Sequence, residues 1–426
     1  MSRTTFIILV IVLTLIVIAV GVWFFFIYQG PKEGIRNIGT EIIDRLPFGG
    51  GFGGGSSGTD TGGIGDGGIK TDGTDGIKRG TTSASAKIRM LSQIPVAGFG
   101  VVEATSTTAT VRYLERASGN VYEIGPEEAN ARRITNTTIP RIHEAIFTQN
   151  GAGVIIRYLR DDNKTIETYS AGIPPLGLTS GLGQAGEQNN ELKGVFLPQN
   201  ISTLSVSPDG KRIFYIIGFG GGTLGFVSNT LNENKQQIFN SPLTEWLVSW
   251  PQEKTISLTT KPSGGIAGYL FSLNPATKVF EKILGGTGLT TLISPNGKLI
   301  LLSNAGVTGI ALGVYDIKNK TTLALGPRTL SEKCVWTADS AKIYCAVPAD
   351  ATPLKLPDTW YQGRFFFSDR IWLIDPNEGN SSVVADLRRE TGKNIDVTNL
   401  SIEKRGNNLF FINKIDQSLW SIRLGE

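Results

Sequence analysis

From residue 87 onward, apolar and polar residues alternate in short runs separated by turn residues. The clearest run is Leu204-Ser205-Val206-Ser207-Pro208-Asp209-Gly210-Lys211-Arg212-Ile213-Phe214-Tyr215-Ile216. Its flanks are β-branched and aromatic, and Pro208, Asp209 and Gly210 supply turn chemistry. It therefore predicts strand, tight turn, strand. The pattern returns around Ser294-Pro295-Asn296-Gly297-Lys298. Turn-bearing positions near Ala104, Gln149, Pro208, Pro251, Pro295, Ala338 and Lys404 mark seven such units, and from Pro208 to Ala338 the steps are 43, 44 and 43 residues. A third strand is expected after each hairpin, as in Gly268–Pro275, Val314–Asn319, Ile371–Pro376 and Ser418–Ile422. A fourth follows, as in Val279–Leu284. Four strands in about 44 residues is the repeat of a β-propeller blade.

The ends of the repeat array predict how the ring closes. The first two units match at a shift of 45, Ile94-Pro95 against Ile139-Pro140 and Val111-Arg112-Tyr113-Leu114 against Ile156-Arg157-Tyr158-Leu159. The seventh unit supplies only three strands before Glu426. At the same shift, Lys87–Leu91 falls on the fourth strand near Arg132-Arg133-Ile134, so it is expected to complete the seventh blade. Closure of this kind removes an exposed sheet edge. The expected fold is all-β, a seven-bladed propeller of four-stranded blades with terminal strand closure, over residues 87–426.

The pattern ahead of residue 87 is different. After a short tail of residues 1–5, Phe6–Tyr28 is a run of 23 residues without a charge. As a helix it would span roughly 35 Å, enough for a hydrocarbon core of about 30 Å. A signal peptide would end near Ala19-Val20-Gly21, but the apolar run continues through Val22-Trp23-Phe24-Phe25-Phe26. The expectation is an uncleaved transmembrane helix. Residues 29–47 form a juxtamembrane amphipathic segment, with Ile35, Ile38, Ile42 and Leu46 at helical spacing. Residues 48–86 are a flexible Gly, Ser, Thr and Asp linker, with a reach of roughly 30–37 Å. Arg3 precedes the span and Lys32, Arg36 and Arg45 follow it, so charge alone leaves the orientation undecided.

Composition narrows the chemistry. With 41 basic and 37 acidic residues and a net charge of +4, no basic block points to nucleic acid. His143 is the only histidine, which removes sites that need two imidazoles, and two cysteines alone do not make a zinc site. No metal and no cofactor is expected. If the blade-six hairpin turns at Asp339-Ser340, Cys334 and Cys345 face each other at disulfide distance. A bridge there places the body outside the cytoplasm; the competing reading is two reduced core cysteines. The expected location is the cell membrane, single-pass, with the propeller on the extracytoplasmic side.

Two insertions break the repeat spacing, Ile173–Leu192 and Ala349–Asp369. The second carries Pro357, Trp360, Tyr361, Arg364, Phe365, Phe366 and Phe367. Aromatics beside an Arg are the residue types that dominate interface energy, so Trp360, Tyr361 and Arg364 are the expected partner contacts. The competing expectation is that these rings plug the channel or pack over blade six. His143-Glu144, placed just ahead of the first strand of blade two, has no nucleophile context, and no catalytic set is found. Asp209 and Asp339 are expected to shape their own turns.

The turns Ser207–Lys211 and Ser294–Lys298 resemble the WD40-like repeats of TolB-type periplasmic propellers, over roughly residues 87–426. The separate N-terminal domain of TolB proteins has no counterpart here, and the Trp-Asp dipeptide of true WD40 repeats is absent. Cys334-Val335-Trp336 with Tyr344-Cys345-Ala346-Val347-Pro348, followed by Pro357–Gly363, also resembles uncharacterised membrane-anchored bacterial propellers, which bring no function with them. The resulting expectation is a non-enzymatic binding or scaffold module of the cell envelope, holding a protein or cell-wall polymer on a propeller rim. The alternatives are an envelope hydrolase or lyase with a rim carboxylate site, or a lectin-like glycan-binding propeller.

Overall fold

In the computed structural model each hairpin grows into a four-stranded antiparallel sheet, and the described residues contain seven such sheets. The structure describes residues 86–103, 109–175, 190–306, 309–350 and 356–425. The expected span at 6–28, the segment 29–47 and all but the last residue of the linker lie outside them. Among the described residues no helix is long and apolar enough to cross a membrane.

Blade two shows the common order: Ile142–Thr148, Gly153–Leu159, Ile166–Gly172 and Lys193–Phe196, each paired with the next. First strands of neighbouring blades run in contact, as Val96–Val102 does with Ile142–Thr148 and Ile201–Val206 with Trp246–Gln252. Strand side chains alternate between the two sheet faces. The apolar ones meet those of the adjoining blade. Leu114 packs with Ile142 and Ile156, Phe214 with Trp246 and Leu258, and Val314 with Ile343 and Cys345. The core is thus a series of interblade layers, and each side chain buried there contributes roughly 1.5–3 kcal/mol.

The recurring turns hold the blades in register. In blade three the Ser207 hydroxyl accepts from the Arg212 amide (2.9 Å), and Asp209 accepts from the Ser207 hydroxyl and the Lys211 amide. Ser294 with Asn296, and Thr337 with Asp339, repeat the arrangement. These bonds hold the Asp209 and Asp339 carboxyls below their ordinary range, the Ser207 and Thr337 hydroxyls being the first cause in each. Both carboxylates are committed to their own turns, as expected from sequence.

Gly210, at φ +72°, abuts the preceding blade: an added Cβ would lie 2.3 Å from the Gln149 backbone nitrogen. Gly297, at φ +69°, abuts only the side-chain amide of Gln252, which is free to swing. Gly210→Ala should therefore cost more than Gly297→Ala, which carries only the backbone strain of roughly 1 kcal/mol. Urea midpoints of the two variants compare them, and an equal loss would mean that the turns do not mesh between blades.

The ring closes where the repeat spacing places the missing strand. Ile88–Ser92 pairs antiparallel with Leu419–Arg423, with Ile88 opposite Ile422 and Met90 opposite Trp420. Cys334 lies opposite Cys345 and the two form a disulfide, with Cα atoms 4.0 Å apart. Two boundaries differ from the sequence expectation. Asp369 belongs to the strand Asp369–Ile374, where it pairs with Pro348. His143 and Glu144 lie within the first strand of blade two, where Glu144 pairs with Arg157.

Candidate functional site

The insertion of blade six is anchored on four blades. It leaves the strand Ile343–Pro348, and from Leu356 it runs through one helical turn, Asp358–Tyr361, back to Asp369. The Asp358 carboxylate accepts from the Ser263 hydroxyl (2.7 Å) and the Gly264 amide (2.6 Å), both in the blade-four loop. Glycine is required there, since a Cβ on Gly264 would come within 2.5 Å of the Leu356 carbonyl. Leu356, Trp360 and Phe367 pack against Ala305 and Ile310 of blade five. From blade seven, Lys414 donates its ammonium to the Trp360 carbonyl and lies 3.7 Å from the centre of the indole.

Beneath this cap is a fully buried charge cluster. Lys333 immediately precedes the first strand of blade six, and Asp396 immediately precedes that of blade seven. The Lys333 ammonium contacts Asp396, the Asp369 Oδ2 (2.9 Å) and the Val397 carbonyl (2.8 Å). The Asp396 Oδ2 accepts from the Trp360 indole N–H (2.8 Å) and the Phe367 amide (3.1 Å), so one carboxylate ties the cap to the core charge. Asp369 accepts from the Val397 amide through Oδ2, while its Oδ1 has no hydrogen-bond partner. The Lys333 ammonium also sits 4.8 Å from the Phe367 ring.

Two carboxylates sharing one ammonium in a dry site leave an excess negative charge. Burial, followed by the Lys333 charge that opposes it and the Asp396 charge that adds to it, leaves the Asp369 carboxyl pushed up to about 6. Burial also raises Glu332, which accepts the Tyr361 hydroxyl, and burial followed by the Glu332 charge raises Tyr361. Burial lowers the Lys414 ammonium to about 8. A carboxyl raised on folding contributes stability that is fully present below its unfolded value near 3.9 and is lost as pH rises through its folded value. Through Asp369 the propeller should gain stability from pH 7 to pH 5, with Glu332 acting in the same sense and the lowered imidazole of His143 opposing them. The lowered turn carboxylates titrate below this window. Asp369→Asn should flatten the slope of melting temperature between pH 5 and 7, and an unchanged slope would remove Asp369 as its source.

The structure separates the three expected contact residues. Trp360 is 5% exposed and its N–H is used internally. Tyr361 is half-buried with its hydroxyl on Glu332. Arg364 is exposed. Two apolar side chains not among the expected contacts stand outward instead: Phe366, 42% exposed, and Ile415 of blade seven, 39% exposed. They border a cavity of about 240 Å3 with Arg388 and Asn394. Arg388 comes from the short helix Leu387–Thr391, whose Asp386 cap accepts from the Arg389 amide. His143 is exposed on the other side of the ring; burial of its ring, then Arg157, lowers its pKa. Among the described residues no three His, Cys, Asp or Glu side chains are grouped to hold a metal ion. Lys333 and Asp396 carried no sequence signal beyond being charges placed against the start of an apolar strand.

No protein-family model matches the chain, and no curated protein matches it. Solved structures do. An oligogalacturonate lyase in complex with manganese is similar at 10% identity and a TM-score of 0.49, over 78% of this chain and 97% of that one. TolB from Acinetobacter baumannii is similar at 11% identity and 0.42, over 76% and 79%. The Pan2 WD40 domain of Neurospora crassa is similar at 14% and 0.46, over 78% and 90%. At these identities the likeness concerns the propeller fold.

Proposed function

We propose that the chain is a membrane-anchored, extracytoplasmic binding module, a non-enzymatic scaffold that holds a partner protein on the capped rim of its propeller. The observation that carries this reading is the division of labour within the insertion. Asp358, Trp360 and Tyr361 lock it onto blades four to seven, and that anchoring holds Phe366 at the surface beside Ile415 and Arg388, with the exposed Arg364 two residues before it in the chain. A rigid apolar pair with an arginine beside it is the composition of an interface centre, and its ordering cost is already met in the free protein. Of the residues first expected to touch the partner, Arg364 keeps that role, while Trp360 and Tyr361 act by positioning the surface.

The test places a photo-crosslinking residue at 366 and, as a control, at 278 in a turn of the opposite rim, followed by illumination of intact cells. A discrete protein adduct from 366 and none from 278 supports the reading; identical adducts from both positions, or none from 366, counts against it. The disulfide supports the extracytoplasmic placement. Alkylation of the unfolded chain without reductant should find no free thiol, and two free thiols would remove that support. One observation favours an enzyme instead: Asp369 is a raised carboxyl with an unbonded oxygen. Its complete burial beneath Phe367 and Trp360 holds it away from substrate, so the binding reading is preferred.

A further inference from the structure

On the same rim, across the ring from the cap, blade two opens a groove of about 780 Å3. Its floor is set by register. Tyr158 pairs with Glu167 and Tyr169 pairs with Phe196, and Glu167 and Tyr169 are two apart, so all four side chains share one face of the sheet. Phe196 is 57% exposed, an unusual place for a large ring, and it is held by Tyr169 with ring centres 5.0 Å apart. The ring is therefore fixed and presents an open face.

Around it stand hydrogen-bonding groups of both kinds. Gln199 donates to the Glu167 carboxylate (2.8 Å), and Arg160 lies 3.4 Å from the same oxygen. That leaves Glu167 with accepting capacity at its other oxygen, and Arg160 and Gln199 with further N–H groups. Asp162, also at the groove, is occupied by its own loop, accepting from the Lys164 and Thr165 amides. The lining lacks the net positive charge a phosphate or polyanion would need. It is not a plain apolar slot either.

We propose that this groove binds a neutral pyranose glycan, with one sugar face stacked on Phe196 and its hydroxyls bridged by Glu167, Gln199 and Arg160. A pyranose has an apolar C–H face and hydroxyls that both donate and accept, which matches a fixed aromatic face beside a carboxylate, an amide and a guanidinium. The volume accommodates more than one sugar ring. This site is separate from the capped rim surface and stands whether or not that surface holds a protein.

The test is isothermal titration of the full chain, in a detergent without a sugar headgroup, against three neutral oligosaccharides: β-1,4-linked glucose, α-1,4-linked glucose and β-1,4-linked N-acetylglucosamine hexamers. At least one should bind, and Phe196→Ala should weaken it about tenfold, the loss of one stacking contact. Phe219→Ala, which removes a ring 69% exposed on blade three, should leave it unchanged. Glu167→Gln should weaken binding while the melting temperature stays within a degree or so of the parent. Binding of none of the hexamers up to about 10 mM, or binding indifferent to Phe196, overturns the proposal. So does Phe196-dependent binding of an oligolysine peptide in place of the sugars, which would make the groove a cationic-peptide site.

Discussion

Lys333→Met is expected to lower the stability of the propeller by roughly 3–5 kcal/mol. The lysine itself is not a strong stabiliser, since taking its charge out of water offsets much of what its contacts return. The loss comes from what the substitution leaves behind. Asp369 and Asp396 would remain fully buried without the ammonium that both contact, one of them already holding an unbonded oxygen. Asp369, already pushed up to about 6, would take up a proton at neutral pH, and Asp396, the acceptor that fastens Trp360 and Phe367, would lose the ammonium it contacts. The damage should therefore extend to the insertion. Limited proteolysis should cut between residues 356 and 368 in the variant before the blades unfold. Lys404→Met, at an exposed lysine of the other rim, serves as the comparison for urea midpoints. A Lys333→Met shift no larger than that of Lys404→Met would show that the cluster tolerates the missing charge. Adding Asp369→Asn to Lys333→Met should restore part of the loss by removing the surplus carboxylate.

The same cluster explains which parts of this protein are legible in its sequence. Strand, turn and blade follow from local chemistry: the Ser-Pro-Asp-Gly-Lys turn encodes its own hydrogen bonds, and the period-two alternation encodes the buried face. The pairing of Cys334 with Cys345 is local as well, because the short turn between Thr337 and Lys342 sets the register across a separation of eleven. The capped rim is not local. Asp358 finds its partners 94 and 95 residues away, Lys333 meets Asp396 at 63, and Lys414 reaches Trp360 at 54. Nothing in the spacing of those residues distinguishes them from solvated charges. Composition marked the insertion as special, but aromatic content does not say which rings turn inward. Trp360 does, because its indole N–H has a buried acceptor; Phe366 has no such tether and stays at the surface. The groove of blade two was hidden for a related reason. Phe196, Glu167 and Tyr158 lie on three different strands, and only the register brings them together.

Removing residues 87–92 from the full chain, with the preceding segments joined to Gln93, is expected to lower the melting temperature by at least about 10 °C. This short strand closes blade seven and is buried at every position from Ile88 to Ser92. Its two faces serve different neighbours. Ile88 and Met90 enter the layer shared with blade six, alongside Ile371, Leu387 and Trp420. Leu91 enters the layer shared with blade one, alongside Val111, Tyr113 and Ile124. Arg89 reaches the same way, donating to the Pro126 and Glu128 carbonyls of blade one. Losing three buried apolar side chains at roughly 1.5–3 kcal/mol each removes a large share of an ordinary domain's total of 5–15 kcal/mol. The strand Leu419–Arg423 would also become a bare edge able to pair with another chain. Truncated protein should therefore associate as well as melt early, which light scattering reads separately. An equal cut at residues 49–54 is the control for shortening. Where the deletion yields no folded protein, Leu91→Asp asks the same question with one buried charge. A deletion variant that melts with the parent, and a Leu91→Asp variant that does likewise, would show that the ring holds without its closing strand.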